Sequence, residues 1–322
     1  MNDTMEYRDV PYVDKRVSRI VFGTAIGSMM NNEDRFDLLD AVFEAGITTY
    51  DSAASYGEAE ASLGRWVKAR GLRDQVTILT KGANPSQYRD RVTPFDIMSD
   101  IEDSFAKLQT DFIDIYILHR DSPRVPVGPI VECLNKLHID GRIGAFGGSN
   151  WTLARTLEVN AYAKEHGLIP FTVCSPNYCL ADMMGDPWGG SVTISGDANA
   201  DFRDWLRANQ MPIFAYSSLG RGFLSGKIKS NEADRAEEIF GRASVEYAYP
   251  INFERLRRAE ELAKEKNVTV SQVAYSWLMH QDLNVFGITG TESPDNIRKT
   301  VDALHLELSA EEMDYLHTSM VG

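Results

Sequence analysis

Residues 95–138 read FDIMSDIEDSFAKLQTDFIDIYILHRDSPRVPVGPIVECLNKLH and carry the pattern that decides the fold. Apolar residues at helical spacing predict one helix over Phe95–Leu108 and another over Gly128–His138. Between them, Phe112–Leu118 is a continuous apolar run, as expected of a parallel strand that is buried on both faces. The segment therefore predicts a helix–strand–helix unit of an α/β protein.

The same alternation continues in both directions along the chain. Further strands are predicted over Arg19–Phe22, Ile47–Tyr50, Val76–Thr80, Ile143–Phe146, Phe171–Cys174, Ile213–Tyr216 and Val285–Ile288. Further helices are predicted over Asp34–Ala45, Glu58–Ala69, Thr152–His166, Asp201–Asn209, Phe253–Lys266, Ser271–His280 and Pro294–Leu304. An extra C-terminal helix over Ser309–Thr318 begins with Ser309 and Glu312 at capping-box spacing.

About eight strand–helix units in 322 residues predict a (β/α)₈ barrel that spans residues 1–322 as a single domain. The alternative is an open, doubly wound sheet, which usually shows G-x-G-x-x-G after its first strand. Here that strand leads into residues 23–27, GTAIG, which lack the pattern. A long irregular stretch, Leu219–Ile251, follows strand 7 and includes a short predicted helix around Glu232–Phe240. Loops of this length are often functional lids.

Composition excludes several classes of partner. A net charge of −14 and a pI near 4.9 argue against nucleic acid and anionic membranes as partners. Cys133, Cys174 and Cys179 form no C-x-x-C pair, and the six histidines do not cluster near them, so reduced thiols and no metal site are expected. Without a signal-like start or a membrane-length apolar run, a cytoplasmic protein is predicted.

Asp51, Tyr56, Lys81 and His119 follow or end predicted strands in the first half of the chain. Each alone has a structural explanation: a turn cap, a surface aromatic, a loop lysine and a satisfied barrel histidine. In a barrel, however, the carboxyl ends of the strands meet at one mouth. A carboxylate, a phenol, an ammonium and an imidazole together suit proton transfer to or from a carbonyl oxygen.

Four motifs make a resemblance specific. They are Tyr50–Gly57 (YDSAASYG) with Glu60, Thr80-Lys81, Asp111–His119 (DFIDIYILH) and Gly147–Asn150 (GGSN). In order and spacing, from about Arg19 to Leu304, the chain resembles the aldo-keto reductase family. Ser175-Pro176-Asn177 after the sixth strand is similar to a bacterial and fungal subgroup.

The resemblance implies a (β/α)₈ barrel and an NAD(P)(H)-dependent oxidoreductase. The enzyme would reduce an aldehyde, ketone or keto-sugar to an alcohol, or run the reverse reaction, without a metal. It implies Tyr56 as general acid/base, Lys81 and Asp51 as groups that tune it, and His119 as the group that orients the carbonyl.

The resemblance also implies a set of cofactor-binding residues, which are Gly23, Thr24, Asp51, Ser149, Asn150, Ser175, Tyr216, Ser217, Leu219, Arg221, Gly222, Gly290, Thr291 and Asn296. Ser175 stands where the family often has a carboxamide-binding glutamine, and Asn177 or a water is the alternative replacement. NADP(H) is favoured by the family. Here Gly290 and Asn296 replace basic residues that bind the 2′-phosphate of NADP(H), and the Glu292 carboxylate would repel that phosphate. These residues weaken the preference for NADP(H), so NAD(H) is also possible.

The expected substrate contacts are Ile26, Met29, Asn84, Arg120, Trp151 and Trp188, which suit a small carbonyl compound or a sugar-like molecule. Arg120 could instead form a salt bridge with Asp121. Two other functions stay open: a lyase or isomerase with Lys81 as Schiff-base nucleophile, and a cofactor-binding regulatory or partner subunit with little turnover. Nothing in the sequence predicts the oligomeric state.

Overall fold

Eight parallel strands form a closed barrel, as the alternation predicts. The computed structural model describes residues 5–186, 188–241 and 244–317. A short antiparallel hairpin comes first, with β1 (Tyr7–Arg8) and β2 (Val17–Ser18). The barrel strands are β3 (Ile20–Gly23), β4 (Thr49–Asp51), β5 (Thr77–Gly82), β6 (Ile113–Leu118), β7 (Ile143–Ser149), β8 (Val173–Ser175), β9 (Ile213–Ala215) and β10 (Val285–Thr289). They pair in chain order, and β10 closes the ring against β3.

Helices follow the strands and surround the barrel. They are α1 (Gly27–Met30), α2 (Phe36–Glu44), α3 (Ala59–Arg70), α4 (Pro94–Leu108), α5 (Val127–Ile139), α6 (Leu153–Glu165), α7 (Ala200–Asn209), α8 (Ala236–Phe240), α9 (Ser244–Tyr247), α10 (Pro250–Lys266), α11 (Val270–Met279), α12 (Pro294–Asp302) and α13 (Ala310–His317). The predicted strands and helices are therefore confirmed, with boundaries that differ by a few residues. The hairpin, α1 and α9 had no counterpart in the prediction, and Thr318 lies outside the described residues.

Side chains on both faces of the strands are apolar because both faces are covered. Inside the barrel, Val21, Leu79, Ile117, Phe214 and Phe286 belong to one cluster of fully buried residues. The alternate residues point outward into a larger cluster that the helices complete. This arrangement explains why the strands read as unbroken apolar runs rather than as alternating patterns.

The N-terminal segment closes the barrel at the amino-terminal ends of its strands. Val10 and Val17 are buried and pack with the same interior cluster as the strand residues. Lys15 donates to Asp114 Oδ1 at 2.8 Å and to the Val76 carbonyl at 2.8 Å, which attaches the segment to β5 and β6. The open end is therefore the one at the carboxyl ends of the strands, where active sites of such barrels lie.

Two long connections cover that end. One joins β8 to α7, and the other, predicted after strand 7, joins β9 to α10 and contains α8 and α9. Asn177 links them, since its amide donates to the Tyr247 hydroxyl at 2.9 Å and its oxygen accepts from the Thr193 hydroxyl at 2.8 Å.

The predicted capping box of the C-terminal helix also forms: the Ser309 amide donates to Glu312 at 2.7 Å, and the Glu312 amide donates back to the Ser309 hydroxyl at 3.2 Å.

Candidate active site

One inward-facing residue at, or directly after, the end of each barrel strand lies at the open mouth. Residues two positions apart on a strand share a face, so Lys81 follows the interior residue Leu79 and His119 follows Ile117 toward the mouth. The mouth residues are Gly23, Asp51, Lys81, His119, Ser149, Ser175, Tyr216 and Gly290. The alternation thus brings three of the four proposed catalytic residues and six of the proposed cofactor residues into one ring, with Asp51 belonging to both sets.

Asp51 and Lys81 form a buried ion pair at the ends of β4 and β5. The two residues are 3% and 2% exposed. The Lys81 ammonium donates to Asp51 Oδ1 and, at 2.9 Å, to the Ser52 carbonyl. Burial alone would lower the pKa of Lys81, but the Asp51 carboxylate, aided by Tyr56, raises it above its ordinary value. Lys81 therefore stays an ammonium, which argues against the Schiff-base alternative.

Tyr56 lies in the loop after β4, next to this pair. The Lys81 Nζ is 5.0 Å from the centroid of the Tyr56 ring. Burial raises the pKa of the Tyr56 phenol; the Lys81 charge opposes this rise and the Asp51 charge reinforces it, and the pKa stays above its ordinary value. The phenol is therefore protonated at neutral pH and holds a proton that it can donate.

His119 completes the group from the end of β6. Its ring meets the Tyr56 ring edge to face, with centroids 5.7 Å apart. Burial, and then the positive charges of Lys81 and Arg120, hold the pKa of His119 well below its ordinary value. The imidazole is neutral, and its Nδ1 lies 3.2 Å from the Ser55 hydroxyl. If Ser55 donates to Nδ1, the ring proton lies on Nε2, the nitrogen on the other side of the ring.

The side chains expected to hold the carboxamide already have protein partners. Ser149 donates to the Ser175 carbonyl at 2.7 Å, and Ser175 donates to the Phe214 carbonyl at 2.8 Å. Asn150 donates to the His119 carbonyl at 3.2 Å and accepts from the Tyr216 hydroxyl at 2.7 Å. Of the two candidates to replace the usual glutamine, Ser175 is bonded to the barrel wall, and Asn177 bridges the two long connections, as described above.

Several loop residues after the strands adopt left-handed backbone angles. The φ values are 59° at Ala83, 60° at Asn150, 53° at Ser217 and 52° at Arg221. Such conformations are uncommon for residues with a Cβ and tend to cluster at functional sites. Gly147 has a different constraint, since a Cβ there would lie 1.8 Å from the Val173 carbonyl oxygen. This contact requires glycine in the Gly147–Asn150 motif.

Arg221 occupies the loop expected to cross the cofactor phosphates, together with Ser217, Leu219 and Gly222. Its guanidinium pairs with the fully buried Glu246 and lies 4.6 Å from the Trp188 ring centroid. Arg221 thereby joins the two long connections over the mouth. Glu246 could not be identified from the sequence, because a single glutamate in an irregular segment carries no recognisable signal.

The acidic side chains that follow β10 are paired with arginines of the protein. Glu292 pairs with Arg35 and accepts from the Ser28 hydroxyl at 2.7 Å. Asn296 donates to the Thr291 hydroxyl at 3.2 Å. Arg298, a basic residue on the following helix α12, pairs with Asp295.

The expected substrate contacts divide into two groups. Asn84 and Arg120 are half-buried at the mouth, and Trp188 is 49% exposed. Ile26 is almost buried beside Gly290. Met29 belongs to the outer core, and Trp151 packs edge to face on Phe171 at 5.0 Å. We therefore leave Met29 and Trp151 out of the proposed contacts, because neither offers surface to a ligand.

The described part of the chain lacks two further kinds of feature. In residues 5–186, 188–241 and 244–317, His, Cys, Asp and Glu side chains form no group of three or more that could hold a metal ion. Within the same ranges, no helix combines the length and the apolar character that a membrane crossing requires.

Comparison with known proteins agrees with this geometry. Residues 19–319 match the profile of the aldo/keto reductase family. A probable aryl-alcohol dehydrogenase, AAD4 of Saccharomyces cerevisiae, is 27% identical over 306 residues, which cover 90% of this chain and 88% of the relative. Aldo-keto reductase YhdN of Bacillus subtilis is 26% identical over 332 residues, which cover 98% and 93%. Aldo-keto reductase str7 of Strobilurus tenacellus is 27% identical over 291 residues, which cover 89% and 81%.

The family match extends over nearly the whole barrel and includes every strand whose end contributes to the mouth. The relatives named above are reductases or dehydrogenases by their names. The chain therefore belongs to the aldo/keto reductase family and is an NAD(P)-dependent oxidoreductase.

Proposed function

We propose that this mouth reduces an aldehyde or ketone to an alcohol, or catalyses the reverse oxidation, with Tyr56 as the proton donor. The observation that carries the proposal is the buried Lys81–Asp51 pair beside Tyr56 and His119. The raised pKa of Tyr56 and the lowered pKa of His119 are consistent with a phenol that donates and an imidazole that is neutral. Proton transfer to a carbonyl oxygen needs a donor of this kind in a site that can stabilise negative charge.

Each residue has a distinct part in the proposed reaction. When bound, the reduced nicotinamide supplies the hydride that the carbonyl carbon accepts. Tyr56 gives its proton to the carbonyl oxygen, and the Lys81 ammonium stabilises the phenolate that is left. Asp51 keeps Lys81 charged and in position. His119, with its proton on Nε2, donates a hydrogen bond to the same oxygen and orients it.

The residues around the mouth suit an NAD(P) cofactor. Tyr216 offers an aromatic ring at the end of β9, and Arg221 offers a guanidinium, with Gly222 beside it, at the loop that follows. A guanidinium is the side chain that best matches a phosphate. Because Arg221 is paired with Glu246, we propose that it shares its remaining N–H groups with the cofactor. Gly23 and Gly290 lie at the ends of the neighbouring strands β3 and β10, which pack closely: a Cβ at Gly290 would lie 3.0 Å from the Gly23 carbonyl oxygen.

We propose NADP(H) as the favoured cofactor and NAD(H) as an accepted one. Glu292 would repel a ribose phosphate, but its pairing with Arg35 and Ser28 masks this charge. The substrate is proposed to be a small carbonyl compound that reaches Tyr56 past Asn84, Arg120 and Trp188.

A panel of aldehydes, ketones and sugars, followed by nicotinamide absorbance with both cofactors, tests the proposal. We expect turnover of at least one class, and we expect Tyr56→Phe to lower kcat by about 10²- to 10⁴-fold. Tyr162→Phe, which removes a surface hydroxyl bonded to Glu132 on the outer helices, is the matched control and should keep full activity. Near-normal turnover by Tyr56→Phe would exclude the assigned role.

A further inference from the structure

Arg120 is a cation at the mouth that has no anionic partner in the part of the chain that the structure describes. It follows His119 directly, at the carboxyl end of β6, and is half-buried. Its Nη1 donates to the His119 carbonyl at 3.2 Å, and among the described residues it forms no ion pair. Most other arginines in that part of the chain pair with a carboxylate, as Arg155, Arg221 and Arg255 do.

The neighbouring carboxylate that could have neutralised Arg120 is engaged elsewhere. Asp121 accepts two hydrogen bonds from Arg155, at 2.8 Å from Nε and 3.1 Å from Nη2. This bidentate geometry is the strongest form of an arginine–carboxylate contact. The salt bridge between Arg120 and Asp121 that the sequence left open is therefore absent, and the Arg120 guanidinium keeps most of its five donors available.

The charge of Arg120 acts on the reacting groups. It lowers the pKa of Tyr56, of His119 and of Tyr216, although burial is the larger influence on all three. The Asp51 and Lys81 charges cancel each other and His119 is neutral, so Arg120 supplies the net positive charge beside the tetrad. Asp186, a carboxylate that also acts on Tyr216, accepts the Ser191 amide at 3.3 Å instead.

The position of Arg120 separates it from the proposed cofactor phosphates. In the closed ring of eight strands, β6 lies opposite β10, the strand that leads to Gly290 and Thr291. The phosphate loop around Arg221 follows β9, three strands away from β6. Arg120 therefore lies on the side of the mouth that is left for the substrate.

We propose that Arg120 binds an oxyanion group of the substrate, so that this enzyme acts on carbonyl compounds that also carry a carboxylate or a phosphate. The inference rests on the proposed carbonyl reduction at the same site. A guanidinium fork matches either group through two parallel hydrogen bonds. In a chain of net charge −14, a local cation at the mouth offsets the general repulsion of anions.

Matched substrates test this proposal. 4-Carboxybenzaldehyde and methyl 4-formylbenzoate share ring and aldehyde and differ in charge, and D-glyceraldehyde 3-phosphate and D-glyceraldehyde form the phosphate pair. We expect the ratio of kcat/KM for the charged over the neutral member to fall about ten- to a hundredfold in Arg120→Gln, mainly through KM. Arg120→Lys, which keeps the charge but loses the fork, should give an intermediate ratio.

The control is Arg124→Gln, since Arg124 lies in the same loop but pairs with Asp90 at 2.5 Å, and its side chain is 82% exposed. This variant should keep the wild-type ratio. If the charged-over-neutral ratio of kcat/KM falls in Arg120→Gln for only one substrate pair, the charged group of that pair, carboxylate or phosphate, is the one that Arg120 recognises. Unchanged ratios for both pairs overturn the proposal.

Binding separates this inference from the proposed function. If neither aldehyde is reduced, carbonyl reduction of such compounds fails, but calorimetric titration with 4-carboxybenzyl alcohol still reports on Arg120. We expect Arg120→Gln to bind this compound at least about tenfold more weakly than the wild type does. Equal affinity for the two proteins would overturn the oxyanion site.

Discussion

The hydroxyl of Ser55 lies 3.2 Å from Nδ1 of His119, so a residue next to the proposed proton donor contacts the ring proposed to orient the carbonyl. A neutral imidazole carries only one ring proton. Nε2 of His119 can therefore donate a hydrogen bond only if Nδ1 is unprotonated, as it is when it accepts from Ser55. We expect Ser55→Ala to lower kcat/KM about three- to tenfold, since one neutral hydrogen bond that selects the tautomer is lost. Steady-state kinetics on the best carbonyl substrate measure this effect.

Ser55→Thr is the matched control because it keeps the hydroxyl. The tautomer can also be observed directly, since ¹⁵N spectra of labelled imidazole distinguish a protonated Nε2 from a protonated Nδ1. If Ser55→Ala leaves both the rate and the tautomer unchanged, the hydroxyl has no role in the reaction.

The pKa directions at the site predict how reduction depends on pH. The pKa of Tyr56 is raised above its ordinary value, near 10, so the phenol loses its proton only at strongly alkaline pH. The pKa of His119 is well below its ordinary value, near 6.5, so the ring gains a proton only in acid. We therefore expect kcat/KM for reduction to be nearly constant from about pH 6.5 to 9.

A pH profile with an inert buffer series measures this, and the reverse oxidation should rise toward alkaline pH because it needs the phenolate. A midpoint near pH 7 in the reduction profile, retained in Tyr56→Phe, would mean that His119 titrates in the working range and that its predicted neutrality is wrong.

Removing one charge of the buried Asp51–Lys81 pair should lower the free energy of unfolding more than removing both charges. Asp51→Asn leaves an ammonium inside the protein without its carboxylate, and we expect a loss of about 3–5 kcal/mol in the free energy of unfolding. The double variant Asp51→Asn/Lys81→Met removes both charges and should be more stable than Asp51→Asn alone. Urea denaturation of the single and double variants measures the two values, and an additive loss would contradict the pairing.

The barrel could be predicted from the sequence because its signal is local and repeated. Each apolar strand and amphipathic helix has its own recognisable pattern, and alternation determines which side chains face inward. Asp51, Lys81 and His119 could therefore be assigned to one mouth from the sequence alone. Contacts between distant loops had no such signal: nothing in the sequence indicates that Arg221 pairs with Glu246 or that Asp121 pairs with Arg155 rather than with its neighbour Arg120.

Glu60, a residue of the motif without a proposed catalytic role, supports β5 from outside the barrel. It is 1% exposed and accepts from the Thr80 hydroxyl at 2.6 Å, while its Oε2 has no hydrogen-bond partner among the described residues. We expect Glu60→Gln to change the free energy of unfolding by less than about 1 kcal/mol, because the acceptor remains. Glu60→Ala leaves a cavity and an unpaired Thr80 hydroxyl, and should cost about 2–4 kcal/mol.

Denaturant titration of both Glu60 variants gives these values, and nicotinamide absorbance shows whether Lys81, next to Thr80, stays in position. Equal losses for Glu60→Gln and Glu60→Ala would mean that the carboxylate charge, rather than the hydrogen bond and the packing, supports β5.

Glu292 should influence the choice between NADPH and NADH. Its carboxylate pairs with Arg35 and accepts from Ser28 at the end of β10. Glu292→Gln removes a negative charge and leaves the Arg35 guanidinium available to a ribose phosphate. We therefore expect the ratio of kcat/KM for NADPH over NADH to rise about three- to tenfold, as one surface charge contact would allow.

The control for this change is Asp302→Asn, which removes one negative charge from the exposed far end of α12, the helix that follows Glu292. If both variants raise the ratio equally, the effect comes from the general charge of the protein and should vanish in high salt. If only Glu292→Gln raises it, and added Arg35→Gln abolishes the gain, then the Arg35–Glu292 pair sets the preference. A fall in the ratio in Glu292→Gln would show instead that Glu292 holds Arg35 in the orientation that meets the phosphate.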